Sequence, residues 1–490
     1  MKKLPEMPIT QEEWDDTPPA VQRLIEALWQ ENQALKEQLV RVGEELVSLQ
    51  AEVERLRERV QQNSRNSSKP PSSDLPQKRP TPQPEPGQGR RRGGQKGHRG
   101  QGRPLKPLEQ VNRVVVSKPI QCQECGALLL GQDPNPRRHQ VSELPRVSPV
   151  ITEYQCHRLT CLSCGAQTSG EWPAEMPSGS FGPRTQALVG YLGGRFGMSD
   201  RDVQELMSVV FQTELGLGSV PAQEQQVSAA LAQPVQEAQD YVRQQPYANV
   251  DETGWRQMTH HSWVWVAATT LVTVFVLLGT RSALGLKRLL GENFQGIVGS
   301  DRWSAYRGLD PLRRQICWAH LKRDFQAFVE RGGESTLIGT LLLKQLKLIF
   351  ELWHRFRAGH LSRAEFQAAM QPIQVEVKCL LLIGTYLDHP RTRKTCQNIL
   401  KLEPALWTFV SQEGVEPTNN AAERPLRRAV IWRRRSFGTQ SEAGSLFVER
   451  ILTAVITLRQ QKRDVLDFLT DACQANISAL HPPSLLPSID

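Results

Sequence analysis

The sequence predicts a multidomain α/β protein, and three observations carry that prediction. Apolar residues recur in heptads from Val21 to Val60, and two Cys-x-x-Cys-Gly motifs begin at Cys122 and Cys161. After Pro246, short strand-like runs follow one another and then alternate with a helical segment. At 490 residues, with 39% hydrophobic and 23% charged residues, the composition is that of a globular chain with room for two or three cores. The net charge of +9 is concentrated around Arg90 to Arg103 and Arg424 to Arg435, which points to a polyanionic partner.

The N-terminus, MKKLPEMPITQEEWDD, turns acidic and proline-rich where a secretory leader needs an apolar core. A cytoplasmic setting is expected, with the nine cysteines as thiols or metal ligands rather than disulfides. WVWVAATTLVTVFVLLG, from Trp263 to Gly279, falls short of the roughly 18 to 20 residues of a membrane span and is rich in β-formers. It reads as two adjacent buried strands, and no membrane partner is expected.

Residues 18–62 form the predicted coiled coil. Val21, Leu28, Leu35, Val42, Leu49 and Leu56 occupy one seam position, and Ile25, Leu39, Leu46, Val53 and Val60 the other. Asn32 falls in the second seam, where a buried amide favours an in-register parallel dimer, so a homodimer or higher oligomer is expected. Residues 63–107 lose all apolar periodicity and read as a basic Pro/Gly-rich linker. Its RRRGGQKGHRGQGRP stretch carries Arg90, Arg91, Arg92, Lys96 and Arg99, candidates for lying along DNA phosphates or entering a minor groove.

Residues 108–178 read as a zinc-ribbon-like module. Cys122, Cys125, Cys161 and Cys164 supply the four thiolates of a tetrahedral zinc site, with Cys156 and His157 as substitutes for one ligand. Cys317, Cys379, Cys396 and Cys473 are scattered and are assigned to packing. Residues 179–245 read as a helical DNA-binding domain, in which SDRDVQELMSVVFQ is opened by Ser199 or Asp200 as cap. Helix, short turn, helix is compatible with a helix-turn-helix reader and equally with a plain bundle.

Residues 246–475 read as the catalytic domain, with a helical insertion at about 334–412 and a tail at 476–490. Successive strands, then strand, helix, strand, with Asp251 on the first strand and Asp301 just past a later one, give a ribonuclease-H-like layout. Phosphodiester chemistry needs an activated oxygen and a neutralised transition state. Two divalent cations about 3.5 to 4 Å apart supply both, and oxygen ligands suit Mg²⁺ or Mn²⁺.

Glu423, the single carboxylate of TNNAAERPLRRAVIWRRR, is the candidate third ligand. Asn420-x-x-Glu423 resembles a capping box that puts Glu423 in a first helical turn, although Pro425 argues for a boundary a residue or two later. Arg424, Arg427, Arg428, Arg434 and Arg435 recur at helical spacing as a DNA-backbone ridge. Taken singly, each carboxylate reads equally as a turn or cap residue; the strand order and the ridge together favour a metal site. His320 either approaches the scissile phosphate or packs beside Trp318.

VDETGW, SDRWSAY, CWAHLKRDF and TNNAAERPLRRAVIWRRRSFGTQSEAG, in this order and behind the coiled coil, NSSKPPSSD, GGQKGHRG and the cysteine pairs, resemble bacterial insertion-sequence transposases of the IS-sixty-six type. The resemblance implies a DDE transposase acting at the nucleoid, with its magnesium triad at Asp251, Asp301 and Glu423. It implies cleavage of the element's ends and attack of the freed 3′-hydroxyls on target DNA, with accessory proteins of the same element as further candidate partners. The alternatives are a zinc-containing coiled-coil DNA-binding regulator that has lost catalysis, and another nuclease of the same fold.

Overall fold

The computed structural model describes residues 9–63, 65–67, 104–174, 176–177 and 179–486. The basic arm with Arg90, Arg91, Arg92, Lys96 and Arg99 lies outside the described residues. Two compact units are formed, one from Met1–Pro76 with Ala238–Val430, the other from Gln77–Glu237 with Ile431–Asp490.

Along the chain come α1 (Gln11–Asp15), α2 (Pro19–Gln61), β1 (Arg158–Thr160), β2 (Gln167–Ser169), α3 (Pro183–Tyr191), α4 (Asp200–Phe211), α5 (Ser219–Ala230) and α6 (Ala232–Arg243). Then follow β3 (Tyr247–Gln257), β4 (His260–Ala268), β5 (Thr273–Leu278), α7 (Ala283–Leu290), β6 (Ile297–Ser300), β7 (Arg314–Ile316) and α8 (Trp318–Glu330). The last elements are α9 (Gly333–Arg357), α10 (Arg363–Gly384), α11 (Pro390–Leu400), α12 (Glu403–Leu406), α13 (Thr408–Ser411), α14 (Asn420–Ser436), α15 (Glu442–Gln460) and α16 (Val465–Ile477).

In the first unit, α2 is one helix of 43 residues, roughly 64 Å long. Its heptad side chains are exposed, Leu39 at 71% and Val60 at 85%. At its far end Glu58 meets His389 Nε2 at 3.4 Å and Arg391, which ties the last turns of α2 to the start of α11.

The five-stranded sheet of this unit has the order β5-β4-β3-β6-β7. The first three strands are an antiparallel meander, and the apolar run from Trp263 is indeed two strands, Trp263 pairing with Leu278. Among the described residues no helix is long and apolar enough to cross a membrane. Ser282 caps α7 by accepting from the Leu284 N–H, and α7 then carries the chain over to β6, parallel to β3. Gly285 is required here, because a Cβ would meet the Trp265 ring at 2.2 Å. This mixed α/β core is consistent with the ribonuclease-H-like fold.

The helical insertion shares a core with α8, where Phe325 and Phe328 cluster with Leu342, Leu346 and Ile349, while Trp353 meets Phe366 and Phe409. Its return is pinned to the sheet. Trp318 Nε1 donates to the Leu406 carbonyl at 2.8 Å, and the Thr408 hydroxyl donates to the Arg314 carbonyl at 2.6 Å. The Phe409 N–H donates to Gln315 Oε1 at 2.8 Å.

In the second unit each cysteine pair forms a tight knuckle. The Gly126 N–H donates to the Cys122 carbonyl at 3.0 Å, and Gly165 repeats the turn at Cys161 with 2.8 Å. Both glycines have φ near +70°, the left-handed region that residues with a Cβ avoid. Backbone N–H groups of Cys125 and Cys164 hold the Cys122 and Cys161 thiols below the usual range, an environment made for a thiolate. The four sulfurs are not gathered as one group within 4.8 Å among the described residues, so each knuckle is shaped for a ligand pair without the pairs closing on each other.

Helices α3, α4 and α5 surround Val189, Val203, Met207 and Val220. Ser199, rather than Asp200, caps α4, in a box with Asp202. Glu224 is enclosed on α5, where a Cβ at Gly193 would meet its Oε1 at 2.3 Å. Burial, and secondarily Asp200, pushes its carboxyl up to about 8.

Because Glu224 then binds its proton more tightly folded than unfolded, its contribution to stability is complete below the ordinary value of 4.5 and is lost as pH rises through about 8. Urea unfolding across that window should show wild type losing roughly 1 to 3 kcal/mol relative to Glu224→Gln. Parallel curves for the two proteins would contradict this account.

Candidate active site

Asp251 lies on β3 and Asp301 directly after β6. The two strands are parallel, with Asn249 opposite Gly299, so two residues further on Asp251 comes opposite Asp301. In-register residues on adjacent strands point to the same face of a sheet, about 4.8 Å apart along the hydrogen-bonding direction. The Trp303 N–H donates to Asp301 Oδ1 at 2.8 Å, and the Glu252 N–H donates to Asp251 Oδ1 at 2.9 Å. Burial first, then the charges of Glu252, Asp301 and Glu423, push the Asp251 carboxyl well above its ordinary range.

Glu252 alternates to the opposite face and has partners of its own. Arg281 Nε donates to its Oε1 at 2.9 Å, and the Tyr306 hydroxyl donates to its Oε2. Arg281 in turn lies 3.8 Å over the Trp303 ring. Beneath the pair sits Arg314, 1% exposed, donating to Ser300 Oγ at 3.1 Å and to the Tyr306 and Asp301 carbonyls at 3.0 and 2.5 Å. Burial lowers this guanidinium only to about 10, so it is cationic at neutral pH. Sequence reading missed Glu252, Arg281, Tyr306 and Arg314. The available signal was an arginine opening the short strand RQI and a tyrosine three residues after Trp303.

Glu423 stands in the first turn of α14, as its spacing predicts. The capping box does not form. Asn419, not Asn420, offers the carbonyl that accepts the Ala422 and Glu423 N–H groups, at 3.0 and 3.1 Å. Its side-chain Nδ2 donates instead to the Val250 carbonyl at 2.8 Å, which ties the start of α14 to β3 one residue before Asp251. The helix does not start late either: Pro425 is inside it, and the N–H it lacks would have gone only to the first-turn carbonyl of Ala421. Arg424, Arg427, Arg428, Arg434 and Arg435 are exposed, while Ala422, Leu426 and Ala429 make the buried stripe. Arg435 also donates to the Phe196 carbonyl at 2.8 Å.

His320, in the first turn of α8, does more than pack beside Trp318. Its Nδ1 faces Glu423 Oε1 at 3.6 Å, and both atoms are buried without a hydrogen-bond partner. With Cys317 they form a group whose ligand atoms lie within 4.8 Å of one another. Cys317, Cys396 and Cys473 are buried, whereas Cys379 is exposed. Burial and then Glu423 push the Cys317 thiol up to about 12.

Asp251, Asp301 and Glu423 do not make such a single-ion group among the described residues. A two-metal cage does not require one, since its outer ligands straddle two ions about 3.5 to 4 Å apart. The donors fit hard divalent cations: three carboxylates, of which Asp251 is raised by burial first and then by Glu252, Asp301 and Glu423.

Residues 204–446 match the transposase IS66 family. The chain carries an IS66-family transposase domain. The match spans β3, β6, β7, the insertion and all of α14, and so includes Asp251, Glu252, Asp301 and Glu423. Residues 16–104 match a second family, of unknown function. The chain is also similar to the uncharacterized protein y4qI of Sinorhizobium fredii (strain NBRC 101917 / NGR234), 24% identical over 197 residues. That alignment covers 36% of this chain and 35% of the relative, so it spans about a third of that protein's length.

Arg314→Met should lower the stability of the transposase by about 2 to 4 kcal/mol in urea unfolding, because three buried acceptors lose a charged donor at once. A loss below about 1 kcal/mol would show that the guanidinium does not organise the strand ends.

Proposed function

We propose that this transposase is a DDE enzyme that cleaves the ends of an insertion sequence and joins the 3′-hydroxyl ends to target DNA, with Asp251, Asp301 and Glu423 as the ligands of two divalent cations. The observation that carries the reading is the register that brings Asp251 opposite Asp301, combined with the Asn419 tie that brings Glu423 beside them. Bound there, Mg²⁺ or Mn²⁺ would activate a water or hydroxyl oxygen and neutralise the charge growing on the phosphate.

The chain's own residues prepare that site. Trp303 fixes the Asp301 carboxylate through its N–H, and Arg314 holds the Asp301 backbone from below. Arg281 and Tyr306 occupy both oxygens of Glu252, which keeps that carboxylate out of the ligand set. Arg424, Arg427 and Arg428 follow Glu423 on one helix face, in position to hold a phosphate backbone while the carboxylate faces the metal. The cysteine knuckles supply thiolates for zinc, and the exposed heptad seam of α2 supplies a surface for a second copy of the chain.

Purified protein incubated with DNA carrying the element's ends and Mg²⁺ should nick at those ends and yield strand-transfer products. Asp301→Asn should reduce nicking at least about a hundredfold with DNA binding retained. Equal nicking by both proteins would reject the assignment. Binding without nicking by either would favour a regulator, and nicking without joining another nuclease of this fold.

Self-association has its own test, because Leu39→Glu with Leu46→Glu places charges in the seam. Sedimentation equilibrium should then fall from an oligomer to the 55.2 kDa chain mass. An unchanged mass would exclude α2 as the assembling surface.

A further inference from the structure

The three-carboxylate reading leaves one feature of the first unit unused: Glu423 shares its surroundings with a thiol and an imidazole. We propose that Cys317, His320 and Glu423 form a second, separate metal site for a thiophilic divalent ion such as zinc, and that filling it withdraws Glu423 from the aspartate pair.

Three observations point to a ligand there. The Cys317 sulfur, His320 Nδ1 and a Glu423 oxygen lie within 4.8 Å of one another, the one such group among the described residues. His320 Nδ1 and Glu423 Oε1 face each other at 3.6 Å, too far for a hydrogen bond, and both are buried without any partner. Two buried polar atoms that stop short of each other are costly unless something between them bonds to both. An ion about 2.0 to 2.2 Å from each, in tetrahedral geometry, puts two such ligands roughly 3.4 Å apart. The observed gap is that of two ligands of one ion.

The frame around the group is rigid. Cys317 is the cap residue of α8, and the His320 N–H donates to its carbonyl at 3.1 Å. The Asn419 N–H donates to the Cys317 sulfur at 3.2 Å, and Asn419 Oδ1 is a third buried atom with no partner. The sulfur therefore already accepts one N–H, as metal-bound thiolates commonly do.

The donor set chooses the ion. Thiol and imidazole are ligands for zinc and its neighbours, whereas Mg²⁺ takes oxygen and keeps its waters. Binding would release the Cys317 thiol proton to solvent and form the sulfur–metal bond, with no change of oxidation state. A fourth position is left for water.

The consequence for activity rests on the proposed role of Glu423, whereas the binding site does not. Zinc bound per full-length chain would be measured by metal analysis after dialysis at fixed free zinc, with chelator competition for affinity. Wild type should hold one equivalent more than Cys317→Ser and one more than His320→Gln. The difference should persist when both pairs carry Cys125→Ser, which removes a knuckle ligand elsewhere. Identical zinc content in wild type, Cys317→Ser and His320→Gln would overturn the site. His320→Gln, at the partly exposed member of the group, decides the question if the buried cysteine substitution proves unfolded by circular dichroism.

In nicking assays at fixed Mg²⁺, added zinc should reduce wild-type activity at least tenfold and leave Cys317→Ser nearly unaffected. Zinc that binds yet leaves wild-type nicking unchanged would overturn the withdrawal of Glu423. A protein that never nicks in Mg²⁺ alone counts against the transposase chemistry, and the zinc stoichiometry still decides the site.

Discussion

Like charge held close together is the constraint around which the first unit is organised. Parallel pairing of β3 with β6 brings Asp251 opposite Asp301. At the spacing of adjacent strands, about 5 Å, two carboxylates repel by about 3 kcal/mol at an effective dielectric of 20. Glu252 and Glu423 add to the field at Asp251. A fold keeps such a concentration only if its surroundings over-determine it, and here they do. Arg314 braces the strand ends from within, and Arg281 with Tyr306 satisfies Glu252 on the other face. What is left unsatisfied is the side towards Glu423, which is where a cation is expected.

The third carboxylate arrives by a long route, and the route explains the insertion. Helices α9 to α13 share one core with β7 and α8, and Tyr247 and Ile297 of the sheet pack against it, so the insertion and the strands that carry the site are built around the same apolar cluster. The chain then returns through hydrogen bonds with β7 and the start of α8, where Arg314, Gln315 and Trp318 meet Leu406, Thr408, Phe409 and Pro417, beside those from Arg363 and Gln367 of α10 to the Phe409 and Val410 carbonyls. Arg314, Gln315 and Trp318 adjoin Cys317 and His320. The same short segment therefore closes the sheet, fixes the end of the insertion and sets where Glu423 begins its helix. A shift there would move the carboxylate with no substitution in the site itself.

Sequence pattern revealed what local physics controls. The heptad helix, the paired strands of the Trp263 run, the Ser199 cap and the cysteine knuckles each depend on neighbours within a few residues, and they appear where the pattern puts them. The meeting of Asp251 with Asp301 was legible through strand order. The distinction between Asp251 and Glu252 was not, because it depends on Arg281 and Tyr306 arriving from other elements. The capping role expected of Asn420 failed for a similar reason: Asn419 has a tertiary acceptor, the Val250 carbonyl, that no local rule contains. Pro425 misled because it sits inside the helix: α14 forgoes the one bond its missing N–H would make, to the Ala421 carbonyl, and continues.

Cys317 was read as a packing residue; it is buried, and its sulfur also lies near His320 and Glu423. A lone buried cysteine is ordinarily a small apolar residue. Three residues away on the opening turn of a helix, an imidazole can turn back toward the same point, and a carboxylate from a distant helix completes the set. In the two proposed sites, hard oxygen ligands on one side of Glu423 and softer sulfur and nitrogen on the other would set one side chain between two kinds of coordination. A carboxylate has two oxygens but one orientation at a time. Whichever ion holds it more strongly fixes that orientation, and by the usual order of affinities zinc outbids magnesium wherever sulfur and imidazole are within reach.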